Sequence, residues 1–433
     1  MLRRWRGEGM DVPLTTSIGR SAPMVRIVRV PASLDTFFRT LSPRFHWDHA
    51  ESVRLLVLAM ALAWGRRHVA NLYRSLAVPH HRTRFHTCGV VHRWDPAAAL
   101  RQKPPELRQA VHPPPGPIRS RVIDDSKQAT RGTTMAAVAT LQEPPTAASL
   151  RGHPSGWGLL VYREPGIPFG IRREVTKDPC AALGVSVRKT PELAAPLLRE
   201  CQPPAGVKVM GLLAAYALGP PVVKACHAPG VPGASTRTSP RRLCKPDGKL
   251  QAGREGRHRC RRRRTATRGT VQPHGHARYR DLDAGGLQVR TRGPLPVVCS
   301  RTGAARKILG WVTDAPERSA AAVLRTDARR WTMAPWIQDV QPLLGLGHYQ
   351  NRASRAAVIH LQLVCFASAL LTHLRLEHTG AHGQRPRDKA ADRSTTAAQD
   401  QRRRLVGDDC VASLKEKHHD ESMLAALERR RVA

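Results

Sequence analysis

A chain of 433 residues can bury a substantial core in two or three units. Its 71 Lys and Arg stand against 33 Asp and Glu, a net charge of +38 with His neutral; so large an excess repels itself on folding and is relieved by a polyanion, naturally DNA or RNA. Nine Cys, an odd count without a close Cys-x-x-Cys pair, suggest free thiols in a reducing compartment rather than a disulfide framework, and only 4% of residues are aromatic. An Arg-, Ala-, Pro- and Gly-rich coding sequence is the competing explanation of the charge, because much of the Arg shows no periodicity.

Met1-Leu2-Arg3-Arg4 is basic but has no apolar segment behind it, so secretion is not expected. Asp35-Thr36-Phe37-Phe38 and Arg44-Phe45-His46-Trp47 are isolated packing clusters. The stretch from Ser52 to Trp64 is dense in helix formers and too short to span a bilayer comfortably, so it predicts a buried helix. His68 to Leu76 predicts a second, and together they make a helical N-terminal unit, residues 1–110. The Pro-rich run of Lys103-Pro104-Pro105 and Pro113 to Pro117 closes that unit as a stiff linker.

Arg119 to Lys127 opens the next unit, residues 118–226. Val122 and Ile123 favour a buried strand, and it ends in Asp124, Asp125 and Ser126. Two adjacent acids are costly unless their charge is compensated, and a divalent metal is the usual compensator; a polar strand end at a turn is the plainer reading. His153-Pro154-Ser155-Gly156 reads as a loop, and Trp157 to Tyr162 and Ile167 to Ile171 as strands of a mixed sheet. Pro191 to Glu200 predicts a crossover helix and Val207 to Leu213 the next buried strand.

Residues 227–305 carry Arg254, Arg257, Arg259, Arg261, Arg262, Arg263, Arg264 and Arg268 with little apolar material between them. Such a tract neutralises phosphates in a salt-dependent way. Only Leu287 to Arg290 and Leu295 to Val298 alternate like strands, so a degraded or disordered insertion is expected rather than an arginine arm. Residues 306–378 begin with a helix signal at Asp314, Pro316 and Glu317, whose buried face runs through Val323, Leu324 and Trp331 to Met333. Pro335 is expected to end or kink that helix at a cost of roughly 3 kcal/mol, and Pro342 repeats the obstacle. Ala356 to Leu374 predicts a long apolar core helix, interrupted by His360 and Gln362, rather than a membrane span. The tail, residues 379–433, is charged and loose, with one possible helix from Leu414 to Arg431.

The His-rich spots His80-His81, His86, His258 and His274-x-His276 lack companions at zinc spacing, and Cys244 and Cys260 are too isolated to help. No Gly-rich loop runs into Lys-Ser or Lys-Thr, so no nucleotide cofactor is expected.

Several segments in one order carry a resemblance. Val122-Ile123-Asp124-Asp125-Ser126-Lys127, Arg131-Gly132-x-x-Met135, Arg330-Trp331-Thr332-Met333 and Asp339 through Gln350, which contains Gly345-Leu346-Gly347-His348-Tyr349-Gln350, together resemble bacterial insertion-sequence transposases of the DDE superfamily. The resemblance covers roughly residues 30–380. It implies an α/β, RNase H-like fold: a mixed sheet flanked by helices, with a mostly β insertion between the second and third acidic positions. It also implies Mg²⁺ or Mn²⁺, cutting and joining of double-stranded DNA at element ends, a possible homodimer, and a cytoplasmic, nucleoid-associated location. Asp125 falls at the first catalytic acid and metal ligand, with Asp124 as its common neighbour; Lys127, Arg131 and Arg261 to Arg264 are the candidate DNA contacts. The second acidic position is Ala215 and the third Ala334, where only Arg330 of the surrounding signature survives. Asp339 lies five positions from 334, turned away from the face that a glutamate there would occupy. A catalytically inactive transposase-like chain is therefore expected. The alternatives are a non-catalytic DNA-binding protein on the same scaffold, an active nuclease with substitute acids, or a chain that does not fold.

Overall fold

The computed structural model describes residues 34–39, 47–63, 65–76, 78, 80–90, 95–101, 119–130, 135–143, 148–161, 166–174, 190–200, 209–213, 234–238, 243–244, 268–271, 277–283, 288–289, 297–302, 308–313 and 332–382. Four helices come first: α1 (Asp35–Arg39), α2 (Trp47–Leu62), α3 (Val69–Arg74) and α4 (Arg82–Val90). A short helix, α5, spans 96–101. Asp95 starts it, accepting the Ala98 amide at 2.9 Å on its own carboxylate.

The sheet begins with β1 (Arg119–Ala129), β2 (Ala139–Glu143), β3 (Ala148–Val161) and β4 (Gly166–Arg173), in which β1, β2 and β4 each pair antiparallel with β3. A crossover helix, α6 (Thr190–Glu200), then leads to β5 (Val209–Leu213), which pairs parallel to β1. Both elements fall where the sequence places them. The strand β6 (Ala234–Thr238) is parallel to β5, and β8 (Arg268–Val271), β9 (Ala277–Asp283), β11 (Val297–Thr302) and β12 (Ile308–Thr313) extend the same sheet. Two dipeptide strands, β7 (Leu243–Cys244) and β10 (Gln288–Val289), pair with each other. The order across the main sheet is β2-β3-β1-β5-β6-β12-β11-β9-β8, with β4 also on β3. The architecture is thus mixed α/β. Short paired strands occur at 234–238, 243–244, 268–271, 277–283, 288–289 and 297–302 within 227–305, expected as a degraded or disordered insertion; the rest of that segment, including the arginine tract, lies outside the described residues.

The long strand β3 also overturns one local reading. His153 to Gly156, expected as a loop, lies inside it, opposite Gln128 to Asp125 of β1. A Pro and a Gly there look like turn residues, yet the strand needs glycine on either side of the segment: a Cβ on Gly152 would lie 2.2 Å from the Gln128 carbonyl oxygen, and one on Gly158 2.5 Å from the Phe169 ring.

Helices cover both faces. Arg121 of β1 donates to the Leu198 carbonyl of α6 at 2.6 Å, and a Cβ on Gly170 would meet Leu197 of α6. On the other face Trp157 of β3 meets Trp336 edge-on, with ring centroids 5.3 Å apart. Trp336 belongs to α7 (Met333–Leu344), which precedes the long α8 (Ser354–His382). The buried core there is continuous, running from Leu34, Phe38 and Leu55 through Val122 and Trp157 to Val340, Phe366 and Leu370. Residues Ser354–Leu374 are long and apolar enough to cross a membrane, but 89% of that window is buried against the rest of the protein. Its Cys365, like Cys88 of α4, is a free buried thiol; burial pushes Cys88 up to about 12.

The helix expected from Asp314 to Trp331 lies outside the described residues. Among the described residues α7 starts at Met333, so Pro335 sits in its first turn, where no backbone N–H is needed. Pro342 does lie inside the helix, which nevertheless continues to Leu344 and stops at Gly345, φ 70° and ψ 40°.

Candidate functional site

The two acids of β1 lie in the middle of the strand, because Ser126 to Ala129 continue its pairing with Ser155 to Gly152. Register fixes which way each faces. Asp124 is opposite Trp157, itself opposite Ile171, so this row belongs to the face covered by α7 and α8. Asp125 is opposite Gly156, itself opposite Arg172, on the α6 face. Adjacent strand residues point to opposite faces, so the two carboxylates do not converge. Asp124 is half-buried and accepts the Asp125 amide on Oδ1 at 3.0 Å, whereas Asp125 is exposed. Lys127, partly buried, shares the Asp125 face two residues on.

Ala334 is exposed on the first turn of α7, and Asp339 is partly buried on the same helix. Arg131, Ala215, Arg330 and the tract Arg261 to Arg264 lie outside the described residues. The donor set does not fit a two-metal centre: each face of β1 offers one carboxylate, positions 215 and 334 hold methyl groups, and among the described residues no three His, Cys, Asp or Glu come together. Two-metal chemistry needs several oxygen donors at one point, so no step through Mg²⁺ or Mn²⁺ follows from these residues.

What the fold does bring together at the far end of β1 is a buried polar cluster that composition and spacing did not reveal. After α7, Gly345 and Gly347, φ 70° and 86°, turn the chain so that Gly347 passes over the Ala129 carbonyl. Tyr349 then returns to the sheet, its hydroxyl 2.7 Å from Nδ1 of His153. Nε2 of His153 lies 3.0 Å from the Ala136 carbonyl, which can only accept; His153 therefore carries its proton on Nε2 and accepts the Tyr349 hydroxyl on Nδ1. Burial lowers His153 to about 4, with the Arg173 guanidinium adding to the effect, and burial raises Tyr349 above the usual phenol range.

His360 of α8 repeats the pattern. Its Nε2 donates to the Gly345 carbonyl at 3.0 Å, its ring lies 5.3 Å from that of Tyr349, and burial lowers it to about 4. His348 accepts the Arg67 amide on Nδ1 at 3.3 Å and is held below the usual imidazole range by burial first and then by Arg67, Arg66 and His68. These imidazoles are neutral hydrogen-bonding parts of a clamp that fixes the 345–349 turn to the sheet. The segment Gly345 to Gln350 stood out in the sequence, but its partner His153 did not, since nothing local distinguishes an ordered strand His from a loop His. No protein-family model matches the chain, and no curated protein matches it.

Proposed function

We propose that this chain is a DNA-binding protein on a DDE-transposase scaffold, RNase H-like in fold, that has lost metal-dependent cutting and joining. The observation that carries the reading is the parallel register of β1 with β5, which ends at Ile123 opposite Leu213. Position 215, where the resemblance expects the second acid, follows Leu213 by two residues in the chain. A mixed sheet with helices on both faces, and a segment between positions 215 and 331 whose described residues are all strand, support the same reading. The chemistry is then decided by side chains: a methyl group at 215 and another at 334 cannot ligate a metal. Phosphate attraction survives, because it needs only the positive charge.

The test is calorimetric titration of Mn²⁺ into the full natural chain and into Ala215→Asp/Ala334→Glu. Weak binding that becomes at least tenfold tighter in the restored chain is the expected result. Because α7 packs on the Asp124 face, Asp124→Ala and Asp125→Ala are each added to the restored chain to tell which acid joins the site. Tight binding by the natural chain, abolished by Asp125→Ala and accompanied by DNA cleavage, would mean that substitute acids complete the centre, and the inactive reading would fall.

A further inference from the structure

Three chain ends converge away from the acids: the end of β4 at Arg173, the start of α8 at Ser354, and Asp95 at the start of α5. They enclose a cleft of about 410 Å³, lined by Arg172, Arg173, Ser354, Arg355 and Gln362 with an apolar wall of Ile171 and Ile359. That is the size range of small-ligand sites.

Arg173 is the centre of the argument. It faces α8, and one of its terminal nitrogens, Nη2, donates to the Ser354 hydroxyl. Its Nε and Nη1 are buried and have no hydrogen-bond partner among the described residues. A guanidinium stays charged even where burial works against it, as it does here, so the idle side of its fork calls for an anionic acceptor. Among the described residues the only acid lining the cleft does not serve: Asp95 is 3.8 Å from Arg101 and caps its own helix.

One further feature agrees in sign. The first turn of the 29-residue α8 contributes backbone N–H groups and the positive end of its dipole at Ser354 and Arg355.

We infer that the cleft between β4, α8 and residues 95–97 binds a phosphoryl group, gripped by the free side of the Arg173 fork with Arg355 beside it. The apolar wall accommodates the organic part that carries the phosphate. A nucleic-acid backbone and a free phosphate or mononucleotide present the same oxygens, and the inference does not rest on the DNA-binding reading.

The experiment titrates inorganic phosphate into the full chain and into Arg173→Gln, Arg355→Gln and, as an equal loss of charge elsewhere, Arg82→Gln on exposed α4. One saturable site is expected, weakened at least tenfold by Arg173→Gln and several-fold by Arg355→Gln, and unchanged by Arg82→Gln. Arg355 is exposed, so its variant keeps the test decisive if the one at buried Arg173 fails to fold. No saturable site, or equal weakening in all three variants, would overturn the inference and leave net charge alone. A short duplex is then competed against phosphate. Competition assigns the cleft to a nucleic-acid backbone, and its absence, with the variant pattern intact, assigns it to free phosphate.

Discussion

His153 shows how burial sets chemistry at the scale of one residue. Its ring has two fixed partners, the Ala136 carbonyl at Nε2 and the Tyr349 hydroxyl at Nδ1, and burial outweighs the Ala136 bond to keep it neutral. Tyr349→Phe would leave Nδ1 buried without a donor, at a cost of about 1–3 kcal/mol, read as a lowered urea midpoint at unchanged slope. The pH dependence follows with a definite sign. His153 and His360 titrate near 4 when folded, against 6.5 when free, so the unfolded chain binds more protons between those values. Stability is therefore full above about 6.5 and falls as the pH drops towards about 4, with a slope approaching two protons from this pair; a His360→Gln variant should show a shallower slope in pH-dependent denaturation. Asp125, exposed and unconverged, should behave differently. Asp125→Ala is expected to change stability by less than about 0.5 kcal/mol in the same denaturation assay, since no buried contact is lost.

Elements here are governed by where the chain meets itself. Pro335 carries a penalty of roughly 3 kcal/mol only if it interrupts a helix, and α7 instead begins two residues before it. Pro335→Ala should consequently shift stability by less than about 1 kcal/mol, whereas Pro342→Ala, which returns an N–H to the helix interior, should stabilise by about 1–3 kcal/mol. Thermal unfolding of the two variants side by side distinguishes them, and equal effects would contradict the start of α7. Gly345 is under two constraints at once: a left-handed backbone, and a Cβ position only 2.6 Å from Cβ of Arg67. Gly345→Ala should therefore destabilise by about 2 kcal/mol or more and loosen the turn that carries Tyr349. Crossover helix α6 and strand β5 were legible beforehand because each has its own periodicity. The strand through His153 was not, because its local residues favour a turn and only pairing with β1 on one edge and β4 on the other holds it extended.

Across the whole molecule one buried core joins helices from both sides of the Pro-rich run: α2 packs on α8, and their side chains share a cluster with β1 and β3. Cutting the chain by limited proteolysis within 103–117 should leave the two pieces associated on size exclusion in native buffer and separate only in denaturant. Independent elution in native buffer would show that the helical unit stands alone. The charge acts at this scale too. With +38 on the chain, duplex affinity should fall steeply and linearly on a log–log plot against salt, and a flat plot would remove the electrostatic basis of binding.

The sequence by itself determined the charge, the acids at 124 and 125, the methyl groups at 215 and 334, and the helices and strands whose apolar pattern is strong. Those are properties of composition and local spacing, which need no partner. Only the tertiary structure decided that the two acids face opposite sides of the sheet, that His153 is clamped by Tyr349, and that Arg173 ends in a cleft with half its fork unmet. Each depends on strand register or on burial between segments far apart in the chain. No local pattern encodes either, because the partner that fixes the side chain lies up to about two hundred residues away, as between His153 and Tyr349.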